Sequence, residues 1–276
     1  MRLATFQAPG AGAPRAGVVD APETRTNAQE TRITAFADTE LTLLDLLRAP
    51  SPADAAAAQT MGESWPLQDV TPLAPVAAPR AIFGIGLNYA DHVAETGGQA
   101  PEQPLVFMKL PSSAAPPNGA VRCPEVVRRL DYEGELAVVM GAGGAVAGYA
   151  VADDVSARDL QKREPQWTRA KGADGFCPYG PWITTADELL DPHSLRLRTW
   201  VNGELRQDSN TSNLIFKVPE LVAFISETCT LEPGDLILTG TPSGVGMGQQ
   251  PASFLATGDV VRIDIERLGS IEHAIA

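Results

Sequence analysis

The sequence predicts a β-rich α+β fold, and three observations lead to this prediction. The chain has 276 residues, of which 44% are apolar, enough for a sizeable core. From about residue 80 onward, short runs rich in Val, Ile and Leu alternate with Gly and Pro, which is typical of strands joined by turns. Few stretches have helical periodicity, so a regular alternation of strands and helices is not predicted.

Residues 1–79 are predicted to form a small N-terminal domain. This segment is rich in Ala, Pro and Thr, and two of its stretches, LTLLDLLRA and SPADAAAAQTM, have helical character. It ends in SWPLQDVTPLAPVAAPR, whose four prolines stiffen the backbone and remove hydrogen-bond donors, as in an extended connector. The larger domain is therefore expected to span residues 80–276.

The strands of the larger domain are predicted from its apolar runs. These runs are AIFGIG, LVFMKL, LDYEGELAVVM, AVAGYAVADDV, LRLRTWVNGEL, GDLILTG and GDVVRIDIE. In the last run, Val261, Ile263 and Ile265 alternate with polar residues that include Asp264. A period of two predicts a strand with one buried face and one solvated face.

Two further elements are predicted between these runs. The uncharged stretch from Leu136 to Ala152 is interrupted by four glycines, and a bilayer requires about 20 apolar residues, so it is interpreted as two strands joined by a glycine turn. The segment PELVAFISETC predicts a helix, because Pro219 is tolerated in the first turn and Leu221, Phe224 and Ile225 recur at helical spacing.

Charge and cysteine content narrow the expected partners and compartment. A net charge of −13 repels phosphate backbones and anionic lipid surfaces, which argues against nucleic acid or membrane as the main partner. The three cysteines are scattered and form no zinc or disulfide framework. The first twenty residues lack the apolar core of a signal peptide, so a cytoplasmic protein is expected.

A cluster of carboxylates is the first candidate site. Asp131, Glu133 and Glu135 occupy alternate positions, so in a strand they project from one face, and Asp153-Asp154 ends another strand-like run. Carboxylate oxygens are the ligands that Mg²⁺ prefers. The alternative is a solvent-facing acidic strand, although the apolar residues around the acids favour an interior strand end.

A second candidate lies in GIGLNYADHVAETGG. His92 and Glu95 are three residues apart, so on a helix Glu95 can orient His92 as a general base on a water molecule. The alternative is an ordinary surface pair. A dinucleotide loop is rejected because the Gly-x-Gly of AIFGIG has no third glycine at the required spacing.

Five motifs together resemble the fumarylacetoacetate hydrolase family. In chain order they are GLNYADHVAE, DYEGELAVVMG, GYAVADDVSARDLQ, the lysine in WTRAKGADGFCPYGPW, and LTGTPSGVG. The resemblance spans roughly residues 80–276 and implies a mixed β-roll catalytic domain, a small N-terminal domain and a homodimer.

The resemblance also implies three groups of site residues. The metal ligands are Glu133, Glu135 and Asp154; the catalytic residues are His92, Glu95 and Lys171; the substrate-binding residues are Arg158, Gln161 and Thr241. The implied ion is Mg²⁺, with Mn²⁺ as the alternative, and Asp131 is a supporting acid. Taken singly, Lys171 could be a surface lysine, Arg158 part of a helix-face charge pair, and GTPSGVG a tight turn.

The function implied is Mg²⁺-dependent hydrolysis of a C–C bond in a small 2-oxo acid of acylpyruvate or fumarylpyruvate type, through a metal-stabilised enolate. Isomerisation of 2-hydroxyhepta-2,4-diene-1,7-dioate, decarboxylation of oxaloacetate and dehydration of sugar acids suit the same platform and stay open. From other classes, a non-catalytic metal- or carboxylate-binding module and a protein acting through its surface are the alternatives.

Overall fold

The structure is a computed structural model that describes residues 1–10, 12–20, 31–91, 95 and 99–276. Its strands are β1 Arg2–Gln7, β2 Arg15–Asp20, β3 Arg32–Phe36, β4 Met61–Pro66, β5 Thr71–Pro72, β6 Ile82–Gly86, β7 Leu105–Lys109, β8 Ala114–Ala115, β9 Ala120–Val121, β10 Leu130–Asp131, β11 Gly134–Met140, β12 Val146–Asp153, β13 Ser156–Ala157, β14 Cys177–Thr185, β15 Arg196–Val201, β16 Glu204–Asn210, β17 Leu236–Leu238, β18 Val260–Ile265 and β19 Gly269–Ile275. Its α-helices are α1 Leu43–Leu47, α2 Pro52–Ala57, α3 Arg158–Arg163, α4 Thr168–Lys171 and α5 Val218–Ser226. The predicted β-rich α+β class is confirmed.

The larger sheet crosses the predicted domain boundary. Its order is β4-β3-β2-β1-β14-β12-β11-β17-β6-β7, with β5 added to β1 and β8 to β14. It is mixed, since β17 runs parallel to β6 whereas β11 and β12 are antiparallel. The N-terminal strands join the rest through the pairing of β1 with β14. The division at residue 79 stays a prediction.

A second sheet, in the order β16-β15-β18-β19-β9, packs against the first. The main core cluster contains Val138 and Val151 from the larger sheet and Leu197 and Ile263 from the smaller one. The alternation predicted for β18 holds for its buried apolar residues, but the expectation that Asp264 is solvated is wrong. Its side chain is 4% exposed and lies 3.7 Å from Arg198, which balances its charge.

The hairpin of β11 and β12 positions the carboxylate cluster. Its turn contains Gly143 and Gly144 at positive φ, where a side chain would be strained, so the predicted glycine turn is confirmed. In the register of the hairpin, Gly134 lies opposite Asp153. Glu133 and Glu135 at the start of β11 and the acids at the end of β12 are thereby brought to the same end of the sheet.

The helices are short, and α1, α2 and α5 lie in the three stretches predicted to be helical. Thr42 caps α1 and Ser51 caps α2 by accepting hydrogen bonds from the first turn. Helix α5 buries Leu221 and Ile225. Within the described residues, no helix is both long and apolar enough to cross a membrane.

Candidate metal and substrate site

Three carboxylates meet where the hairpin ends. Oxygens of Glu133, Glu135 and Asp154 lie within 4.8 Å of one another, and all three side chains are buried. The alternative of a solvent-facing acidic strand is therefore wrong, because exposure is at most 5% for these residues. Three buried carboxylates require compensation by cations or hydrogen bonds.

The main chain of Glu133 is fixed on both sides. Its N–H donates to Oδ1 of Asp153 at 2.8 Å, and its carbonyl accepts from the N–H of Asp154 at 2.9 Å. Asp153 in turn contacts His273 of β19 through Oδ2 and Nε2 at 2.8 Å. Since Glu133 lies in the break between β10 and β11, these bonds replace the strand ladder that would otherwise hold it.

Two buried lysines neutralise part of the acidic charge. Nζ of Lys171 lies 2.6 Å from Glu133 Oε2 and 2.7 Å from Asp154 Oδ2. Nζ of Lys109 lies 2.6 Å from Asp154 Oδ1 and also donates to the carbonyl of Lys171. Burial lowers the pKa of Lys171, but Asp154 and Glu133 together outweigh it and raise that pKa, so this lysine is charged.

Glu135 is the least compensated of the three acids. Its Oε2 accepts from the N–H of Gly240 at 2.7 Å, but no lysine or arginine among the described residues forms an ion pair with it. Burial, then Asp154 and Glu133, raise its pKa well above the usual value. Hard oxygen donors with a deficit of positive charge fit Mg²⁺ or Mn²⁺.

Asp131 is turned away from the triad. Its Oδ2 accepts from Arg158 Nε at 2.7 Å, and its two oxygens also accept from the main-chain N–H groups of Gly246 and Met247. The expectation of one continuous acidic strand face is therefore wrong, because the chain leaves the ladder between β10 and β11. Asp131 fixes Arg158 and the loop after β17.

Arg158 connects Asp131 to the carboxylate triad. Its guanidinium lies 2.5 Å from Glu133 Oε1, and a third nitrogen donates to Gln161 Oε1 at 3.0 Å. The alternative of a plain surface charge pair is wrong, since only 5% of Arg158 is exposed. The same holds for Lys171, at 2%.

The hydroxyl group of Thr241 both donates and accepts a hydrogen bond within the protein. It donates to the carbonyl of Gly134 at 3.0 Å and accepts from Gln207 Nε2 at 2.9 Å. Gln207 Oε1 also accepts from the N–H of Gly134. The contact of Thr241 with a substrate stays a prediction, and the described bonds show that it fixes the start of β11.

A cavity of about 390 Å³ opens above the triad. Arg158, Gln161, Lys171 and Thr241, four of the predicted site residues, line it together with Glu133. Three aromatic residues line it too, namely Phe107, Trp167 and Phe254. Rings of Phe107 and Trp167 meet edge to face at 5.4 Å between centroids. Charged groups beside an apolar wall suit a small organic acid.

The predicted pair of His92 and Glu95 stays a prediction, because His92 lies outside the described residues and only Glu95 is described. Oε1 of Glu95 accepts from the N–H of Gly244 at 3.0 Å. A Cβ added to Gly248 would lie 2.4 Å from Glu95 Cδ, so the carboxylate lies directly against this glycine. Glu95 therefore reaches the GTPSGVG motif and the residues that follow it.

Sequence reasoning missed three residues that support the site, namely Lys109, Gln207 and His273. Lys109 gave one signal, as a lone charge inside the apolar run LVFMKL. No local pattern marks Gln207 or His273, whose partners Gly134 and Asp153 lie 73 and 120 residues away in the chain.

Fold and site together define an enzyme built around a buried carboxylate triad. The chain belongs to the fumarylacetoacetate hydrolase family, since the family model "Fumarylacetoacetate (FAA) hydrolase C-terminal" matches residues 81–276. It is 40% identical over 291 aligned residues to oxaloacetate tautomerase Fahd2a, mitochondrial, of Rattus norvegicus, covering 100% of this chain and 91% of that protein.

Solved structures agree with this assignment. A 2-hydroxyhepta-2,4-diene-1,7-dioate isomerase from Mycobacterium marinum superposes with a TM-score of 0.80 and 35% identity, covering 100% of this chain and 98% of that one. A fumarylacetoacetate hydrolase from Exiguobacterium antarcticum gives a TM-score of 0.80 and 33% identity, covering 100% and 99%. The expected family and fold are confirmed, and so is the expectation that the chain is an enzyme of this family.

Proposed function

We propose that this enzyme uses a divalent metal, Mg²⁺ or Mn²⁺, to enolise a small 2-oxo acid, and that keto–enol tautomerisation of an oxaloacetate-type substrate is its main reaction. The observation that carries the proposal is the buried triad of Glu133, Glu135 and Asp154 beside a cavity lined by Lys171 and Arg158. Similarity to an oxaloacetate tautomerase along the whole chain supports it.

The residues fall into distinct roles. When bound by Glu133, Glu135 and Asp154, the metal supplies Lewis-acid polarisation of the 2-oxo group. The charged Lys171 donates a hydrogen bond to negative charge that develops on the substrate oxygen, since its raised pKa makes it a poor base. Arg158 and Gln161 orient the substrate carboxylate from the cavity wall.

Tautomerisation requires a group that moves a proton. A C–H bond at C3 of the substrate breaks and an O–H bond forms at the 2-oxo oxygen, so no oxidant or second reactant is consumed. The proposed shuttle is the pair of His92 and Glu95, in which Glu95 holds the orientation of His92. Its contact with the Gly244 N–H restrains Glu95 at this position.

Hydrolysis of an acylpyruvate, the reaction expected from the motifs, stays a prediction. It requires that the same pair activate a water molecule rather than shuttle a substrate proton. Isomerisation of a 2-hydroxy-diene-dioate is the second candidate, favoured by the likeness to the Mycobacterium marinum isomerase. Both reactions share enolisation of a 2-oxo acid.

The test is an assay of metal-free protein before and after addition of MgCl₂ or MnCl₂. Ultraviolet absorbance follows the decay of enol-oxaloacetate, while release of pyruvate with CO₂ or with a carboxylic acid reports decarboxylation or acylpyruvate hydrolysis. Metal-dependent tautomerisation is expected. Glu135→Gln should weaken metal binding and turnover together, whereas His92→Ala should spare metal binding and lower turnover. Full turnover without a divalent ion would overturn the proposal.

The proposed assembly is a homodimer. Strand β7 forms an edge of the larger sheet, and Val106 and Met108 on it are 37% and 38% exposed. Leu110 and Val126, nearby on a groove of about 540 Å³, are exposed by 47% and 61%. An apolar edge of this kind favours association. Sedimentation velocity should show a dimer that Val126→Asp weakens and Leu190→Asp does not.

The proposed compartment is the cytoplasm. The names of several relatives carry the word mitochondrial, so the compartment is best decided by fractionation of the producing cells. Recovery with a cytoplasmic marker enzyme is the expected result, and recovery with an organelle marker would contradict it.

A further inference from the structure

The cavity is far more basic than the protein that contains it. The chain has 34 acidic and 21 basic residues. The charged residues that line the cavity are Arg129, Arg158, Lys162, Lys171 and one acid, Glu133. Four cations with one anion in a strongly acidic protein indicate a preference for anionic ligands.

The inner and outer cations differ in their partners. Arg158 pairs with Asp131 and Glu133, and Lys171 pairs with Glu133 and Asp154, so both serve the buried carboxylates. Within the part of the chain that the structure describes, neither Arg129 nor Lys162 forms an ion pair. Both are exposed residues of the cavity lining, whereas Arg158 and Lys171 are buried, and this difference defines the outer and the inner cations. Their charge is available to a ligand.

Both outer cations are attached to the framework that holds the inner ones. The carbonyl of Arg129 accepts from the N–H of Arg158 at 2.9 Å, and its guanidinium lies 5.7 Å from the centroid of the Phe254 ring. Lys162 lies four residues after Arg158 in α3, which places the two on the same helix face. The outer cations thus face the same cavity as the site below them.

We propose that Arg129 and Lys162 bind a second carboxylate at the far end of the substrate, so that the enzyme selects 2-oxo dicarboxylic acids over 2-oxo monocarboxylic acids. This inference rests on the proposed function, because it takes the 2-oxo carboxylate to bind at the triad and Arg158. An oxaloacetate-type substrate already carries a second carboxylate, and this inference adds the two residues that recognise it. Two charge-assisted contacts at one carboxylate give discrimination of about tenfold or more.

The test measures binding without turnover. Isothermal titration calorimetry of the Mg²⁺-loaded full chain compares 2-oxoglutarate with 2-oxopentanoate, which share a five-carbon chain and differ in the terminal carboxylate. The wild type is expected to bind 2-oxoglutarate about tenfold more tightly. Arg129→Gln and Lys162→Gln should each remove most of this preference and leave the affinity for 2-oxopentanoate unchanged.

Neighbouring residues provide matched controls. Arg128 and Arg163 are exposed residues adjacent to Arg129 and Lys162, but neither lines the cavity. Arg128→Gln and Arg163→Gln should keep the full preference for the dicarboxylate. A preference that is lost equally in the controls would reflect overall charge and would overturn the assignment to Arg129 and Lys162.

Binding and turnover separate this inference from the proposed function. Equal affinity for the two ligands in the wild type, absence of binding for both, or a preference that persists in the Arg129→Gln/Lys162→Gln double variant would overturn the inference, even if oxaloacetate is tautomerised. A protein that prefers 2-oxoglutarate through these residues but tautomerises nothing would retain the dicarboxylate site and disprove the proposed reaction.

Discussion

Nε2 of His273 lies 2.8 Å from Oδ2 of Asp153, and both side chains are completely buried. The other oxygen of Asp153 accepts from the N–H of Glu133. One carboxylate therefore joins β19 of the smaller sheet to a proposed metal ligand of the larger one. Nδ1 of His273 has no hydrogen-bond partner among the described residues, so the ring is held through this contact.

Replacement of His273 by leucine should destabilise the protein by about 3 kcal/mol, because it leaves the Asp153 charge buried and unpaired. It should also weaken Mg²⁺ binding, since Glu133 loses part of its support. Urea unfolding and calorimetric Mg²⁺ titration measure the two effects. The double variant His273→Leu/Asp153→Asn, which removes the charge as well, should recover part of the stability. No recovery would contradict the explanation by charge.

The effect of Mg²⁺ on stability should grow as the pH rises. The folded metal-free protein raises the pKa of Glu135 through burial and the neighbouring Asp154 and Glu133. Because its pKa is higher in the folded protein, Glu135 contributes stability at pH values below its unfolded pKa of about 4.5. That contribution is lost as the pH rises through the folded pKa. A bound cation compensates the charge of the ionised Glu135 and so offsets this loss of stability. The thermal shift caused by Mg²⁺ should therefore be larger at pH 8 than at pH 5.5.

Glu135→Gln provides the control for this pH dependence. Its neutral side chain has no proton to release, so the shift caused by Mg²⁺ should be smaller and should vary less with pH than in the wild type. A wild-type shift that is larger at pH 5.5 would contradict the assigned role of Glu135.

Lys171→Met should lower the stability of the metal-free protein and increase the thermal shift caused by Mg²⁺. Without metal, Glu133 and Asp154 lose a buried cation, and the variant should be less stable by about 3 kcal/mol. Added Mg²⁺ replaces part of this charge, so its thermal shift should exceed that of the wild type. Turnover should fall on the order of 100-fold because the oxyanion loses its donor.

Lys109→Met is the matched comparison for Lys171→Met. Lys109 also contacts Asp154 from a buried position, but it does not line the cavity. It should lose comparable stability with a smaller fall in turnover. Equal loss of turnover in the two variants would argue against a direct role of Lys171 on the substrate.

Gly248→Ala should test the role of Glu95. The new Cβ would lie 2.4 Å from Glu95 Cδ, so the carboxylate has to move, while the flexible side chain limits the loss of stability to about 0.5 kcal/mol. If Glu95 orients His92, kcat should fall about tenfold with little change in KM. Gly12→Ala, which meets no atom within 4 Å, should change neither. An unchanged kcat in Gly248→Ala would count against the pair.

The cysteines should differ in reactivity. Cys177 is buried, and burial raises its pKa to about 12, whereas Cys229 is exposed. Iodoacetamide at pH 8 should therefore label Cys229 in the native protein and Cys177 only after unfolding. Peptide mass spectrometry follows both sites. Labelling of Cys177 as fast as Cys229 in the folded protein would show that its strand opens in solution.

The parts of the site that the sequence predicts are those carried by local motifs. Acids at the ends of two apolar runs predict a carboxylate cluster, and the glycine turn between the runs makes them neighbours, whereas the choice of Glu133, Glu135 and Asp154 as ligands comes from the resemblance. The resemblance further places Lys171, Arg158, Gln161 and Thr241, and all four line the cavity. The described chain does not contain His92, so its role stays a prediction.

The parts of the site that the sequence does not predict depend on contacts between segments that are distant in the chain. Alternation alone put Asp131 with Glu133 and Glu135, because the pattern does not reveal that the strand breaks between Asp131 and Gly134. Lys109 meets Asp154 across 45 residues, and His273 meets Asp153 across 120. The first pairing is set by the strand order of the larger sheet and the second by the packing of the smaller sheet against it, and a single sequence records no signal for either.

Separate segments of the chain form the floor of the cavity, where the proposed metal binds, and the wall that contacts the substrate tail. At its floor, Glu133 is linked through Asp153 to His273 of the smaller sheet, whereas Lys162 in the exposed wall forms no ion pair with the acidic triad among the described residues. Exchange of this wall between relatives could retune which tail is accepted without rebuilding the floor. New substrate specificities would then arise by a few substitutions in the wall, while the carboxylate triad and its chemistry stay unchanged.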